Sequence, residues 1–116
     1  MAFKPRWTPG ATDTFNMLRA GSDAARKNRL QKAIKKASKV EGLFKQLEKC
    51  VRLLTENPRH PGLQTHEFDS LEHPYDPKEK VFEAYVQNNT PGAYRLFWCY
   101  GPGAGELTIL AITPHP

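Results

Sequence analysis

Cysteine is scarce, with only Cys50 and Cys99 in 116 residues. Two are too few for the disulfide lattice that staples small secreted domains. They read as buried, reduced thiols, Cys50 in a helical pattern and Cys99 in a strand pattern. No apolar run approaches the roughly 20 residues that a bilayer span needs. The opening Met1-Ala2-Phe3-Lys4-Pro5 also lacks the apolar core of a secretory leader. A cytoplasmic location and no membrane partner are expected. There is no tandem repeat, no low-complexity tract and no nucleophile motif. The run Gly101 to Gly105 joins two strand patterns, so it reads as a hairpin loop and not as a phosphate cradle before a helix. His60 and His66 fit no standard zinc spacing, and neither a metal nor a cofactor is expected.

What is present is a lopsided charge. The chain carries +5 overall. Met1 to Glu56 holds thirteen Lys and Arg against five Asp and Glu, a surplus of eight positive charges. Asn57 to Pro116 holds four against seven, and all four histidines. A basic half suits nucleic acid or an acidic protein, and equally suits a helix surface solvated by lysines. At this length the chain forms one domain with one core, covering residues 1–116.

The periodicity divides the chain into a helical half and a strand half. Phe3 to Thr8 reads as a short strand that Pro5 confines to an edge. Thr12 to Leu18 reads as a short helix broken at Gly21-Ser22, with Ser22 as N-cap of the next. From Asp23, apolar residues recur at three and four, from Leu30 through Leu54. A single helix there would run to roughly 50 Å, so a helical hairpin breaking near Ser38 to Gly42 is expected. The alternative is one long helix with a dimer seam. Asn57-Pro58 ends the helix. Arg59 to Gly62 is a turn, Leu63 to Phe68 a strand, and Asp69 to Lys80 a solvated loop. The period then becomes two. Phe82, Ala84 and Val86 share a face opposite Glu83, Tyr85 and Gln87. Tyr94, Leu96, Trp98 and Tyr100 share a face opposite Arg95, Phe97 and Cys99. The last strand runs from about Glu106 to Thr113. The expected fold is α+β: an N-terminal helical hairpin packed on one face of a small, mainly antiparallel twisted β-sheet.

A few side chains in the strand half can carry chemistry. Arg95 sits inside an apolar strand, so it needs a carboxylate partner such as Glu83 or an open face where its fork holds a phosphate. His115 can pass a proton near neutral pH, as cleavage through a 2′-hydroxyl requires. Tyr85 can stack on a base or donate a hydrogen bond. Arg59, His60 and His66 bracket the helix-to-sheet connection, where they can touch phosphate or simply face solvent.

Taken together, the chain resembles the RelE/ParE superfamily of bacterial toxin–antitoxin toxins. The likeness rests on Leu53-Leu54-Thr55-Glu56-Asn57-Pro58, the following Arg59-His60-Pro61-Gly62-Leu63-Gln64-Thr65-His66, the strand Gly92-Ala93-Tyr94-Arg95-Leu96-Phe97, and the ending Ile109-Leu110-Ala111-Ile112-Thr113-Pro114-His115. It implies a RelE-like toxin that cuts mRNA without a metal at the ribosome and is neutralised by a cognate antitoxin. The resemblance assigns Arg95 to the scissile phosphate, Glu83 as general base and His115 as general acid, with Tyr85 beside them. RNA contacts would come from Arg59, His60, His66 and the helical Lys35 and Lys36. RelE itself has two lysines on the strand where this chain has Glu83 and Tyr85. The ParE branch, which inhibits DNA gyrase and lacks nuclease residues, is the alternative, as is a RelE-fold protein without catalysis.

Overall fold

Alternating side chains on one strand sort the molecule into two faces. The computed structural model describes residues 2–88 and 92–114. Its elements are β1 (Lys4–Trp7), α1 (Pro9–Gln31), α2 (Lys39–Glu56), a 3-10 turn at Pro61–Leu63, β2 (His66–Glu67), β3 (Phe82–Tyr85), β4 (Tyr94–Tyr100) and β5 (Glu106–Pro114). The strands form one mixed sheet in the order β1-β5-β4-β3-β2. β1 pairs parallel with β5, while the other pairings are antiparallel. β1 is an edge strand, as Pro5 requires. The fold is α+β, with two helices on the sheet face that carries Ala84, Leu96, Trp98, Leu107, Ile109 and Ile112. These residues close a core with Phe44, Leu47, Cys50 and Leu54 of α2 and with Ala11 and Leu18 of α1. Leu47, Leu54, Leu96 and Ile109 are fully buried, each stabilising by roughly 1.5–3 kcal/mol relative to exposure. No helix among the described residues is long and apolar enough to cross a membrane.

A bulge makes β5 serve this face twice. Phe97 faces Ala111 and Trp98 faces Ile109, so Leu110 is the extra residue. Ile109 and Ile112 lie an odd number of positions apart, and the bulge puts both toward the helices. The carbonyl of Leu110 accepts the Thr8 hydroxyl at 2.8 Å, and Thr8 Oγ1 accepts the Ala11 amide at 3.1 Å. Thr8 is the N-cap of α1, so one threonine ties the first helix to the bulge.

The helices depart from the sequence expectation in their limits. α1 runs unbroken through Gly21-Ser22 and is capped by Thr8, not Ser22. Ser22 is buried, and Gly21 faces Val40 near the start of α2. The small pair marks a close approach between helices rather than a break. The connection spans residues 32–38, and α2 starts at Lys39. Lys35 and Lys36 therefore lie on that exposed connection, not on a helix. Leu30 and Ile34, which carried the helical period, are exposed. A carboxylate decides where α2 begins. Ser38 and Glu41 form a reciprocal capping box, and Glu41 also takes Arg29 Nε at 2.8 and 2.9 Å. Arg29 Nη1 reaches the carbonyls of Ile34 and Lys35 at 3.2 and 3.3 Å. Arg29 and Glu41 thus clasp the connection from both ends.

The Ser38 backbone amide, then Arg29, holds the Glu41 carboxyl below its usual range. A carboxyl with a depressed folded value stabilises above its unfolded value of about 4.3 and loses that contribution as the pH falls through the folded one. Ser38→Ala should cost about 1 kcal/mol in urea unfolding at pH 7. Glu41→Gln should flatten the loss of stability on acidification below about pH 5, and an unchanged acid limb would refute the clasp.

Candidate functional site

The face of the sheet opposite the helices carries the titratable side chains. Directly paired residues share a face. The pairs His66↔Glu83, Tyr85↔Arg95 and Arg95↔Thr113 therefore place these residues together, on the side away from the core. The other end of the same face is covered by residues 68–80, which the sequence suggests are a solvated loop. Phe68 packs on Phe97 with ring centroids 4.5 Å apart. The Tyr75 hydroxyl lies 2.9 Å from Thr108 Oγ1. His73 is buried; its Nδ1 accepts the Tyr75 and Asp76 amides at 3.2 and 3.1 Å, so Nε2 carries the proton that reaches the Tyr100 carbonyl at 2.8 Å. The segment is a strap, held by a neutral imidazole.

Beside the strap sits a connected group of four side chains. His66 Nε2 lies 2.5 Å from Glu83 Oε1. His66 Nδ1 meets the Gln64 carbonyl at 3.2 Å. Both ring nitrogens face oxygen acceptors, so one proton is held between Nε2 and Oε1. Glu83 is 7% exposed while His66 is exposed. The buried carboxylate thus orients an imidazole that solvent can reach. The His66 ring stands edge-on to Tyr85, with centroids 5.6 Å apart. Arg95 Cζ lies 4.0 Å from the centroid of the Tyr85 ring. Arg95 Nη1 donates to the Tyr94 carbonyl at 3.2 Å.

These placements sort the expected site residues into three groups. Glu83, Tyr85, Arg95 and His66 come together. The ion pair found for Glu83 is with His66. Arg95 is neither beneath the helices nor on an open face. It is 1% exposed, and the ring of Tyr85 covers its guanidinium, which satisfies a charge by cation–π contact and backbone carbonyls. Arg59 and His60 lie apart, at the corner between α2 and β2, and Lys35 and Lys36 at the tip of the helical hairpin. His115 lies outside the described residues. The pairing of His66 with Glu83 had no signal in the sequence, because β2 is two residues long and separated from β3 by the strap. Both cysteines are free. Burial pushes the Cys50 thiol up to about 12 and the Cys99 thiol up to about 11, so neither is a nucleophile at neutral pH.

A helical hairpin packed on one face of this mixed sheet is a fold shared with solved structures. Two solved structures show the match. The YoeB/ParE toxin from Agrobacterium tumefaciens superposes with a TM-score of 0.60 over 97% of this chain and 99% of that chain, at 11% identity. A chain of the archaeal RelE–RelB complex from Pyrococcus horikoshii OT3 superposes with a TM-score of 0.57 over 98% and 96%, also at 11% identity. No protein-family model matches the sequence, and no curated protein does. At this identity the likeness is one of fold.

The stacking of Tyr85 on Arg95 is testable by itself. Tyr85→Leu should lower stability by about 1–2 kcal/mol in urea unfolding, and Tyr85→Phe should be near neutral, because the ring face and not the hydroxyl holds the guanidinium. Equal losses in both variants would refute the stack.

Proposed function

We propose that this protein is the toxin of a toxin–antitoxin pair and a metal-independent RNA endonuclease, acting in the cytoplasm on mRNA at the ribosome. The fold supports the toxin reading, since one matched structure is a YoeB/ParE toxin and the other a RelE–RelB complex. One observation supports the nuclease reading: the exposed imidazole of His66 held at 2.5 Å by the buried carboxylate of Glu83, next to Tyr85. A carboxylate held in place by an imidazole N–H is a group that can take a hydroxyl proton.

In this reading Glu83 is the general base: the carboxylate oxygen not bonded to His66 takes the proton of a ribose 2′-hydroxyl, while His66 Nε2–H holds the other oxygen. The 2′-oxygen bonds to phosphorus as the bond from phosphorus to the 5′-oxygen breaks. The products are a 2′,3′-cyclic phosphate and a 5′-hydroxyl. His115 remains the proposed acid that protonates the leaving 5′-oxygen. Arg95 acts through Tyr85, fixing the ring and adding positive potential behind it, and is a positioning residue. Arg59, His60, Lys35 and Lys36 are proposed contacts to RNA phosphates. The basic surface of the first 56 residues suits an acidic antitoxin segment that folds on binding. A ParE-like reading, with DNA gyrase as target, is favoured by one observation: the guanidinium of Arg95 is spent on Tyr85 rather than offered to solvent.

Expression of the chain without an antitoxin, with transcript ends mapped and DNA integrity followed, tests the proposal. Wild-type protein should arrest growth and leave cut transcripts with 5′-hydroxyl ends. His66→Ala and Glu83→Gln should slow cleavage by about 10²–10⁴-fold. Broken DNA with intact transcripts would transfer the assignment to gyrase, and full cleavage by both variants would remove His66 and Glu83 from the mechanism.

A further inference from the structure

A second site lies on the other side of the same edge strand. A cleft of about 420 Å³ opens at the corner between α2 and β2, within the range of about 300–1,000 Å³ in which small ligands bind. Its apolar wall is Phe82, Trp98 and Tyr100. Phe82 stacks on Trp98 at 4.8 Å, and Tyr100 stands edge-on to both, at 5.9 and 5.0 Å. Tyr100 is 38% exposed. Its polar rim is Arg59, His60, Gln64 and Thr65, and no acidic residue lines it. His60 Nδ1 accepts the Gly62 amide at 2.9 Å, so in the neutral ring Nε2 carries the proton and is a donor. Trp98 is 1% exposed, and its Nε1–H meets no acceptor among the described residues. Thr65 Oγ1 is likewise buried without a partner there. Buried polar groups are nearly always satisfied, and two orphans on residues of one cleft call for an explanation.

Aromatic faces, hydrogen-bond donors and positive charge without a carboxylate fit a planar, acceptor-rich anion. We propose that this cleft binds one nucleotide of single-stranded RNA, its base stacked on the half-exposed ring of Tyr100 with its edge toward Phe82, and its phosphate held by Arg59 and His60. The inference rests on the RNA reading above and extends it to substrate selection. Thr65 lines the cleft and His66 is the next residue, on the edge strand of the sheet. Phe82 of the cleft and Glu83 of the pair are likewise neighbours on β3, and neighbouring residues on a strand point to opposite faces. One RNA strand passing over the β2 edge therefore meets the cleft on one face and the His66–Glu83 pair on the other, and the base held in the cleft sets the position of the cut.

Trp98 reports directly on the site. The chain has two tryptophans, so Trp7→Phe leaves Trp98 as the sole indole. Titration with AMP, GMP, CMP and UMP should give a saturable change in its emission with at least one of the four. Ribose 5-phosphate, which lacks the base, should give none. Arg59→Ala and Tyr100→Ala should weaken binding roughly tenfold, while His66→Ala should bind as the parent does and lose cleavage. Should Trp7→Phe disturb the fold, the Trp98 indole N–H resonance of the unsubstituted protein gives the same reading. No saturable response to any nucleotide, an equal response to ribose 5-phosphate, or unchanged affinity in both cleft variants overturns the proposal. A loss of binding in His66→Ala also overturns it, by moving the signal to the other face. If the cleft fails while His66→Ala still abolishes cleavage, only the cleft is lost; if nucleotides bind and no RNA is cut, it is the nuclease reading that falls.

Discussion

Strand β4 is hydrogen-bonded on both sides, by β3 and by β5, and its side chains are therefore sorted strictly by the pleat. Leu96 and Trp98 go under the helices and close the core. Arg95, Phe97 and Cys99 go to the opposite face. A slip of one residue would exchange these sets, burying a guanidinium among leucines and exposing an indole. The core and the candidate site are thus two readings of one register, and neither can be altered without the other.

The same economy governs the charges. The chain buries few ionisable groups, and each described one is answered locally. Glu41 is met by Ser38 and Arg29, Glu83 by His66, and Arg95 by the face of Tyr85. These solutions differ in what they leave available. The Glu41 cluster consumes all its partners and is architectural. The Glu83–His66 pair leaves the imidazole exposed, and a buried carboxylate behind an accessible ring suits proton transfer more than stability, since a desolvated ion pair contributes little net.

The strand half was legible because period two is a strong signal when one face is apolar. The alternation from Phe82 to Val86 and from Tyr94 to Tyr100, and the span of the last strand, appear in the structure as read. The first helix runs through the break that the sequence suggests because Gly21 and Ser22, which look like punctuation in one dimension, are small for a three-dimensional reason, the nearness of Val40. The loop at 69–80 looked solvated because its prolines and carboxylates outnumber its anchors, yet His73 and Tyr75 suffice to hold it on the sheet. Glu83, Tyr85 and Arg95 could be placed on one face from the pattern. That His66 would join them, and that Tyr85 would cover Arg95, depends on a two-residue strand and on ring geometry, which no periodicity encodes.

The extra residue in β5 has a consequence for how this strand tolerates change. Because Leu110 absorbs a change of phase between Ile109 and Ile112, the segments before and after it are in different frames of the pleat. Side-chain replacements along β5 leave those frames intact. Loss of Leu110 would restore a regular ladder in which Ile112 stays on the helix side with Leu107 and Ile109, and what would go is the carbonyl that anchors Thr8 and the first helix.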